Sequence, residues 1–276
     1  MNEIDVLELS KNIEEEVKQS TKGCIIRPSV AVIEIGDNDI SSKHIELKQK
    51  ACEKVDIYFR HFKFDETTSE LTIVNKIKEL NNDDYVNGIM IELPIPDKYN
   101  EKRLLNTIIN SKDVDGLTDI NVGRAIGGRK TIIPSTVMAI MTLLKEKNIE
   151  LEGKEVVLVG KGRLVGKPMM YQLLNEGATV TVCHSKTKDL TKHTKEADII
   201  ISATGVKNLI TDDMVKDGVI VIDAGYTYED DKLCGDVDYK KVSKKASYIT
   251  PPTGCIGPLS ISMFLKNIMT SYNSKK

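Results

Sequence analysis

Apolar and polar positions along the first half of the chain follow strand and helix periods in turn. Helical spacing predicts an amphipathic opening helix, and short apolar runs bounded by turn residues predict strands between later helices. Ser41 or Ser42 is expected to cap the second helix. This alternation predicts a parallel sheet covered by helices. The predicted helices are 3–20, 42–55, 70–80 and 98–109, and the predicted strands are 29–35, 58–64 and 88–94.

The second half repeats the alternation after a polar, glycine-rich passage at 113–129, which is the expected inter-domain region. The last helix is expected around 264–269, with Pro258 in its first turn. Two successive sets of strands and helices predict an α/β protein with two domains. The predicted helices before that are 136–147, 167–176 and 189–195, and the predicted strands are 156–159, 179–183, 198–203 and 219–223.

A glycine-spaced turn joins the first strand of the second half to its helix. Gly160, Gly162 and Gly166 follow the apolar run Val156 to Val159. A strand, a glycine turn and a helix present backbone N–H groups and a helix N-terminus to a pyrophosphate. An ordinary tight turn has the same spacing, but the flanking pattern fits on both sides. The stretch therefore predicts nucleotide binding.

Composition excludes several classes of protein. With 276 residues, a net charge of −2 and 29% charged residues, the chain has no global field that favours nucleic acid or a membrane surface. Five widely spaced cysteines without a Cys-x-x-Cys motif argue for free thiols, against a disulfide framework and against a zinc site. The start of the chain lacks a basic-then-apolar signal pattern. We therefore expect a soluble cytoplasmic protein that binds no metal.

The second strand of a dinucleotide fold distinguishes NAD from NADP. An acidic residue at its end would bind the ribose 2′-OH and repel a 2′-phosphate. Here the strand ends at Cys183 and is followed by Ser185 and Lys186, with Lys161 in the glycine turn, so NADP is favoured. NAD stays open as an alternative. Further ligand contacts are expected at the ends of later strands, at Ala203, Thr204, Gly205 and Tyr226.

Chemistry-bearing side chains gather in the first half. His44 and Lys48 are four residues apart, so they share one helix face. Glu92 lies in the carboxyl-terminal part of the predicted strand 88–94, and Asp115 lies at the start of a loop. Composition and spacing alone also fit solvated surface residues at each of these positions.

Six segments of the chain form a recognisable set by their order and spacing: Lys48–Cys52, Glu92–Pro96, Lys112–Gly116, Gly160–Pro168, Thr181–Thr187 and Ile249–Pro251. Together they resemble the methylenetetrahydrofolate dehydrogenase/cyclohydrolase family, and the resemblance extends from about residue 28 to 265. The resemblance implies a folate-binding catalytic domain over 1–135 and 256–276, and a Rossmann-like NAD(P)-binding domain over 136–255. It also implies a cleft between the domains, a homodimer, and a last helix that returns to the first domain.

The family's reaction transfers a hydride from 5,10-methylenetetrahydrofolate to the nicotinamide, and water then opens the methenyl cation to 10-formyltetrahydrofolate. Lys48 matches the catalytic lysine, and Asp115 matches the aspartate that binds the pterin. By resemblance, the catalytic set is His44, Lys48, Glu92 and Asp115, and the substrate-binding set is His44, Lys48, Asp115, Pro251 and Gly254. The cofactor-binding set is Gly160, Lys161, Gly162, Val165, Gly166, Ser185, Ala203, Thr204, Gly205 and Tyr226.

Four positions depart from the family pattern. His44 stands where a tyrosine is usual, and Glu92 stands where a glutamine is usual. Lys161–Gly162 replaces an Arg-Ser pair, which weakens the case for NADP because lysine lacks the bidentate fork of arginine. Thr253–Gly257, which includes Cys255, replaces a Pro-Gly-Gly-Val-Gly loop.

The glutamate at position 92 has a chemical consequence. A carboxylate within about 4–6 Å of Lys48 favours the charged ammonium, and a protonated lysine is a poorer general base. We therefore expect the dehydrogenase to survive and the cyclohydrolase to be weakened or lost. Two alternatives stay open: a diverged paralogue that binds folate or nucleotide without turnover, and another two-domain NAD(P) dehydrogenase, such as one acting on a shikimate-like acid.

Overall fold

The computed structural model describes residues 6–229, 232–251 and 256–274. The helices are α1 Val6–Lys22, α2 Asp39–Lys54, α3 Glu70–Asn82, α4 Glu101–Thr107, α5 Asp119–Ile126, α6 Ser135–Glu146, α7 Gly166–Asn175, α8 Leu190–Thr194, α9 Tyr239–Val242 and α10 Ile256–Asn273. The strands are β1 Ser29–Ile35, β2 Tyr58–Phe64, β3 Gly88–Ile91, β4 Glu155–Val159, β5 Thr179–Cys183, β6 Ile199–Ser202, β7 Ile220–Asp223, β8 Thr227–Glu229, β9 Lys232–Cys234 and β10 Tyr248–Ile249.

As far as it is described, the chain divides into two compact units. The first, here called the folate unit, comprises Ser10–Ser135 and Ile261–Lys276. The second, here called the nucleotide unit, comprises Met1–Leu9 and Thr136–Ser260. Each unit holds one parallel sheet, so the predicted two-domain α/β class is confirmed.

The sheet of the folate unit has the strand order β2-β1-β3, and all its pairs are parallel. Side chains alternate across β1, so Val30 and Val32 join one core while Ala31 and Ile33 join the other. The core that contains Val30 and Val32 also includes side chains of α2 and α10. The core that contains Ala31 and Ile33 also includes side chains of α3 and α4. Helices on both faces explain why β1 is buried along its whole length.

The sheet of the nucleotide unit has the order β10-β7-β6-β4-β5, again entirely parallel. From β4 the chain first steps outward to β5 and then returns to the other side of β4 to form β6. The direction of winding therefore reverses between β4 and β6. In open α/β sheets, ligands bind outside the carboxyl ends of the strands at such a switch point.

Local details differ from the predictions. Neither Ser41 nor Ser42 caps α2, because the helix begins earlier and the side chain of Asn38 accepts the backbone N–H groups of Ile40 and Ser41. The glycine-rich passage contains α5, which Thr118 caps by accepting the N–H of Asn121. The pattern also missed the short elements β8, β9, α9 and β10. Among the helices of the described residues, none is long and apolar enough to cross a membrane.

Candidate functional site

Lys48 and Glu92 form the centre of the folate unit's polar cluster. Lys48 projects from the middle of α2, and its Nζ lies 2.7 Å from Oε2 of Glu92, which directly follows β3. The same Nζ lies 3.5 Å from Sδ of Met90 and 5.5 Å from the centroid of the Phe264 ring. The ammonium is thus held between a carboxylate, a thioether and an aromatic face, which fixes its position.

Glu92 is almost completely buried, and a second side-chain nitrogen lies beside its carboxylate. Its side chain is 6% exposed, and its Oε1 lies 3.5 Å from Nδ1 of His44, one turn before Lys48 on α2. Burial opposes ionisation of the carboxyl group, but the Lys48 charge and the bonds to His44 and Lys48 outweigh it. The pKa of Glu92 is therefore lowered below its ordinary value. Glu92 is an ionised carboxylate at neutral pH.

Asp115 interacts electrostatically with Lys48 and Glu92, but its pKa is raised whereas that of Glu92 is lowered. Burial raises its pKa to about 7; the Lys48 charge opposes this shift, and the Glu92 and Asp113 charges add to it. Near neutral pH its carboxyl group therefore exists in both protonation states. A ligand that donates N–H groups to it would favour the carboxylate.

Two residues that hold the Asp115 loop were quoted in a motif but given no role by the sequence. Asp113 is buried and accepts hydrogen bonds from the backbone of Leu117 and Thr118 and from the side chain of Asn121. Lys112 is fully buried, and its ammonium donates to three backbone carbonyls at the end of α3. The only signal in the sequence is a lysine next to an aspartate, followed by the apolar Val114, and it does not specify these partners.

The glycine turn of the nucleotide unit lies at the switch point between β4 and β6. Gly160 follows β4 with φ of +115°, and a Cβ there would lie 2.4 Å from the carbonyl oxygen of Ala203, which follows β6. Only glycine allows this approach. Val165, the N-cap residue of α7, provides no side-chain hydrogen bond to the helix N-terminus. The backbone there forms a cradle of the kind that receives a pyrophosphate.

The structure brings the predicted cofactor residues to one edge of the nucleotide unit's sheet, since the carboxyl ends of parallel strands share an edge. Lys161, Gly162, Ser185 and Gly205 are exposed there, and Tyr226 is 45% exposed. Pro251 follows β10. Gly254 and Cys255 lie outside the described residues. The other five members of the cofactor-binding set are only partly exposed or buried, and they are Gly160, Val165, Gly166, Ala203 and Thr204.

Comparison with known proteins gives consistent matches over both units. The family "Tetrahydrofolate dehydrogenase/cyclohydrolase, catalytic domain" matches residues 4–115, and "Tetrahydrofolate dehydrogenase/cyclohydrolase, NAD(P)-binding domain" matches residues 134–276. The bifunctional protein FolD of Nautilia profundicola is 45% identical over 273 residues, which are 97% of this chain and 95% of that protein.

Two solved structures are similar throughout. The crystal structure of the bifunctional FolD methylenetetrahydrofolate dehydrogenase/cyclohydrolase of Campylobacter jejuni has a TM-score of 0.94 and 45% identity, and the match covers 98% of each chain. The dehydrogenase-cyclohydrolase of Trypanosoma brucei, solved with NADP and an inhibitor, has a TM-score of 0.93 and 31% identity. That match covers 99% of this chain and 97% of the other.

Proposed function

The chain belongs to the tetrahydrofolate dehydrogenase/cyclohydrolase family, and we propose that it oxidises 5,10-methylenetetrahydrofolate with NADP while hydrolysing the methenyl product only weakly. Family membership supports the oxidation, and it favours folate over a shikimate-like acid. The observation that carries the second part is the 2.7 Å contact between Lys48 Nζ and Glu92 Oε2. This distance lies within the range over which a carboxylate favours the charged form of a neighbouring amine.

In the oxidation, the one-carbon bridge between the two folate nitrogens loses a hydride and becomes a delocalised cation. NADP, when bound, supplies the carbon that accepts the hydride and its electron pair. The ionised Glu92 carboxylate stabilises the positive charge that develops on the bridge. Lys48 holds the Glu92 carboxylate in place, and its positive charge offsets part of the negative charge of that carboxylate. No proton needs to be accepted by the protein in this step, so a charged lysine does not obstruct it.

In the hydrolysis, water adds to the methenyl carbon and loses one proton to a base. The second water proton then passes to the folate nitrogen whose bond to that carbon breaks, and the carbon is left as a formyl group on the other nitrogen. A base must accept the proton. A lysine that is paired with Glu92 as an ammonium has no lone pair to accept it. The usual glutamine is neutral and lacks this effect. We therefore propose that hydrolysis is the slow activity of this chain.

Substrate contacts are proposed by position. Asp115 would accept hydrogen bonds from the paired N–H donors of the pterin, which selects its ionised form. His44 offers a flat ring for the benzoyl group, in place of tyrosine. We also propose Pro251 and Gly254 as substrate contacts. Because folate binding needs a carboxylate at position 115, loss of that charge should weaken binding without removing the Lys48–Glu92 pair.

The cofactor is proposed to bind at the carboxyl edge of the nucleotide unit's sheet. The Gly160 cradle would hold the pyrophosphate, and Lys161 and Ser185 would face the 2′-phosphate. The Trypanosoma brucei relative was solved with NADP. Lys161→Arg supplies the bidentate fork and should increase the preference for NADP over NAD. If the ratio of the Michaelis constants for NADP and NAD stays unchanged in this variant, Lys161 does not contact the 2′-phosphate.

An assay for reduced nicotinamide with methylenetetrahydrofolate as substrate tests the oxidation. The enzyme should form reduced cofactor with NADP. A non-catalytic paralogue, the competing proposal, would instead show a ligand-dependent rise in melting temperature without reduced cofactor. We further propose a cytoplasmic homodimer, because the family resemblance implies a dimer and the cysteine pattern fits a reducing compartment. Sedimentation equilibrium tests the dimer.

A further inference from the structure

A buried aspartate outside the predicted site fastens the loop after β6. Asp236 has no exposed surface, and four hydrogen bonds from that loop reach its carboxylate. Its Oδ2 accepts from Ser202 Oγ at 2.7 Å, from the Thr204 backbone at 2.7 Å and from Thr204 Oγ1 at 2.8 Å. Its Oδ1 accepts from the Val206 backbone at 3.0 Å. One side chain therefore determines the path of residues 202–206.

Asp236 is itself held in place by a second aspartate. Asp223, the last residue of β7, accepts the backbone N–H groups of Gly225 and Asp236 at Oδ1 and that of Val237 at Oδ2, at 3.0 to 3.2 Å. The two carboxylates thus link the end of β7, the segment at 236–237 and the loop after β6. The contacts form one chain of hydrogen bonds along the carboxyl edge of the sheet.

The backbone leaves room for this arrangement. A Cβ at position 225 would lie 2.1 Å from Oδ1 of Asp236, so only glycine fits beside that carboxylate. Burial of a carboxylate is costly unless donors surround it. Here the donors are backbone N–H groups and hydroxyls that belong to the loop itself. An apolar residue at 236 would leave those donors without their acceptor, and the loop could not keep this shape.

We propose that Asp236 is a positioning residue for the cofactor site, whose carboxylate holds the loop at 202–206 in the shape that receives NADP. The inference rests on the proposed function, because that proposal assigns Ala203, Thr204 and Gly205 to the cofactor. Asp236 does not itself touch NADP. It acts through the loop, and one residue of that loop, Ala203, also lies against Gly160 at the switch point.

The test is calorimetric titration of the full-length protein and its variants with NADP, together with steady-state kinetics. Asp236→Asn keeps the shape but turns an amide N–H toward one of the loop donors. We expect the dissociation constant and KM for NADP to rise about 10-fold or more, as for loss of a hydrogen bond to a charged group. The KM for the folate substrate should stay within about twofold, because the change acts on the nucleotide unit.

Asp198→Asn is the matched control. Asp198 precedes the amino end of β6, where it pairs with Lys216 at 2.7 Å and accepts the backbone N–H of Glu155. Its loss should lower the melting temperature without changing the NADP dissociation constant. Ser202→Ala removes one of the bonds to Asp236 and should weaken NADP binding about threefold with little loss of stability. If Asp236→Asn does not fold, the NADP affinity of Ser202→Ala tests the role of Asp236 instead.

The outcomes separate the two claims. Weaker NADP binding in Asp236→Asn or Ser202→Ala, but not in Asp198→Asn, supports the inference. Wild-type affinity in the Asp236 and Ser202 variants overturns it. Affinity that falls in step with melting temperature in all three variants also overturns it, since the role would then be general stability. If the wild type binds neither NADP nor NAD, the proposed cofactor site fails and the inference fails with it.

Discussion

The ammonium of Lys48 lies 2.7 Å from the carboxylate of Glu92, which is 6% exposed. This ion pair joins the middle of α2 to the end of β3 in the folate unit. The family resemblance implies a neutral glutamine at position 92, and we propose that the negative partner changes which of two coupled reactions the lysine can assist. The carboxylate favours formation of a cation, and the charged lysine is a poor acceptor for the proton of water.

Glu92→Gln should restore hydrolysis. The change takes away the anion that is paired with Lys48, and we expect the rate of methenyl hydrolysis to rise by about 10-fold or more, which is a part of the roughly 10²–10⁴-fold that general base catalysis contributes. The rate is measured as the loss of methenyltetrahydrofolate absorbance above the uncatalysed rate.

Glu34→Gln is the control for that change. Glu34 is another buried carboxylate of the folate unit, bonded to Ser42 at 2.6 Å and His61 at 2.8 Å. Neutralising it should leave the rate of hydrolysis unchanged. Equal rates of hydrolysis in wild type and Glu92→Gln would contradict the role assigned to the Glu92 charge.

Lys48→Met should destabilise the folded state in a pH-dependent way. The lowered pKa of Glu92 depends on Lys48, and without that cation burial would raise it. The variant should lose about 1–3 kcal/mol at pH 7, where the buried carboxylate is ionised. The loss should shrink as the pH falls and Glu92 becomes protonated. Urea unfolding at several pH values measures this.

The same helix provides a comparison for Lys48→Met. Lys50 is 67% exposed and pairs with Glu46 across one turn of α2. Lys50→Met should cost less than about 0.5 kcal/mol, as exposed pairs do, with little dependence on pH. If the two variants lose the same free energy of unfolding at each pH, the buried pair contributes no more to stability than the exposed pair does.

The raised pKa of Asp115 leads us to expect that folate binding is coupled to proton release. Its pKa is raised to about 7 by burial, so stability that depends on its protonated form is full at low pH and is lost as the pH rises toward 7. A folate that binds the carboxylate should release a proton near neutral pH. Calorimetry in buffers of different ionisation enthalpy should give buffer-dependent heats that disappear in Asp115→Asn. Identical heats in all buffers for the wild type would contradict this.

Gly160→Ala should abolish tight NADP binding. Its Cβ would lie 2.4 Å from the carbonyl of Ala203, and φ of +115° is unfavourable for alanine. The dissociation constant should rise by at least about 10-fold, because displacement of the loop costs more than one hydrogen bond. Gly123→Ala, in a helix with open space around it, should bind as the wild type does. Unchanged affinity in Gly160→Ala would remove the glycine turn from the site.

Local pattern was sufficient to find the strands β1 to β7 and the long helices. The bounds of β1, β2 and β5 agree with the predicted 29–35, 58–64 and 179–183, because continuous or aromatic-rich apolar runs end at turn residues there. Pattern failed where a side chain outside the periodic run decides the boundary. The Asn38 cap of α2 is one such case, and the Thr118 cap of α5 inside a glycine-rich passage is another.

Resemblance selected the polar residues of the site, but the contacts required the fold. His44, Lys48 and Glu92 do converge, whereas Phe264 could not be placed against Lys48 from spacing alone, since they are more than two hundred positions apart. Asp236 was missed for the same reason, because its partners lie on another strand's loop. The expected cleft and dimer stay predictions.

The most direct test of the central claim follows methenyltetrahydrofolate and reduced NADP together in one reaction of the wild-type enzyme with methylenetetrahydrofolate. The ion pair of Lys48 and Glu92 predicts that methenyltetrahydrofolate accumulates in near-equal amount with reduced NADP and then decays at about the uncatalysed rate. Reduced NADP that forms without accumulation of the methenyl product would contradict it, because another group, such as Glu92 itself, would then be accepting the proton of water.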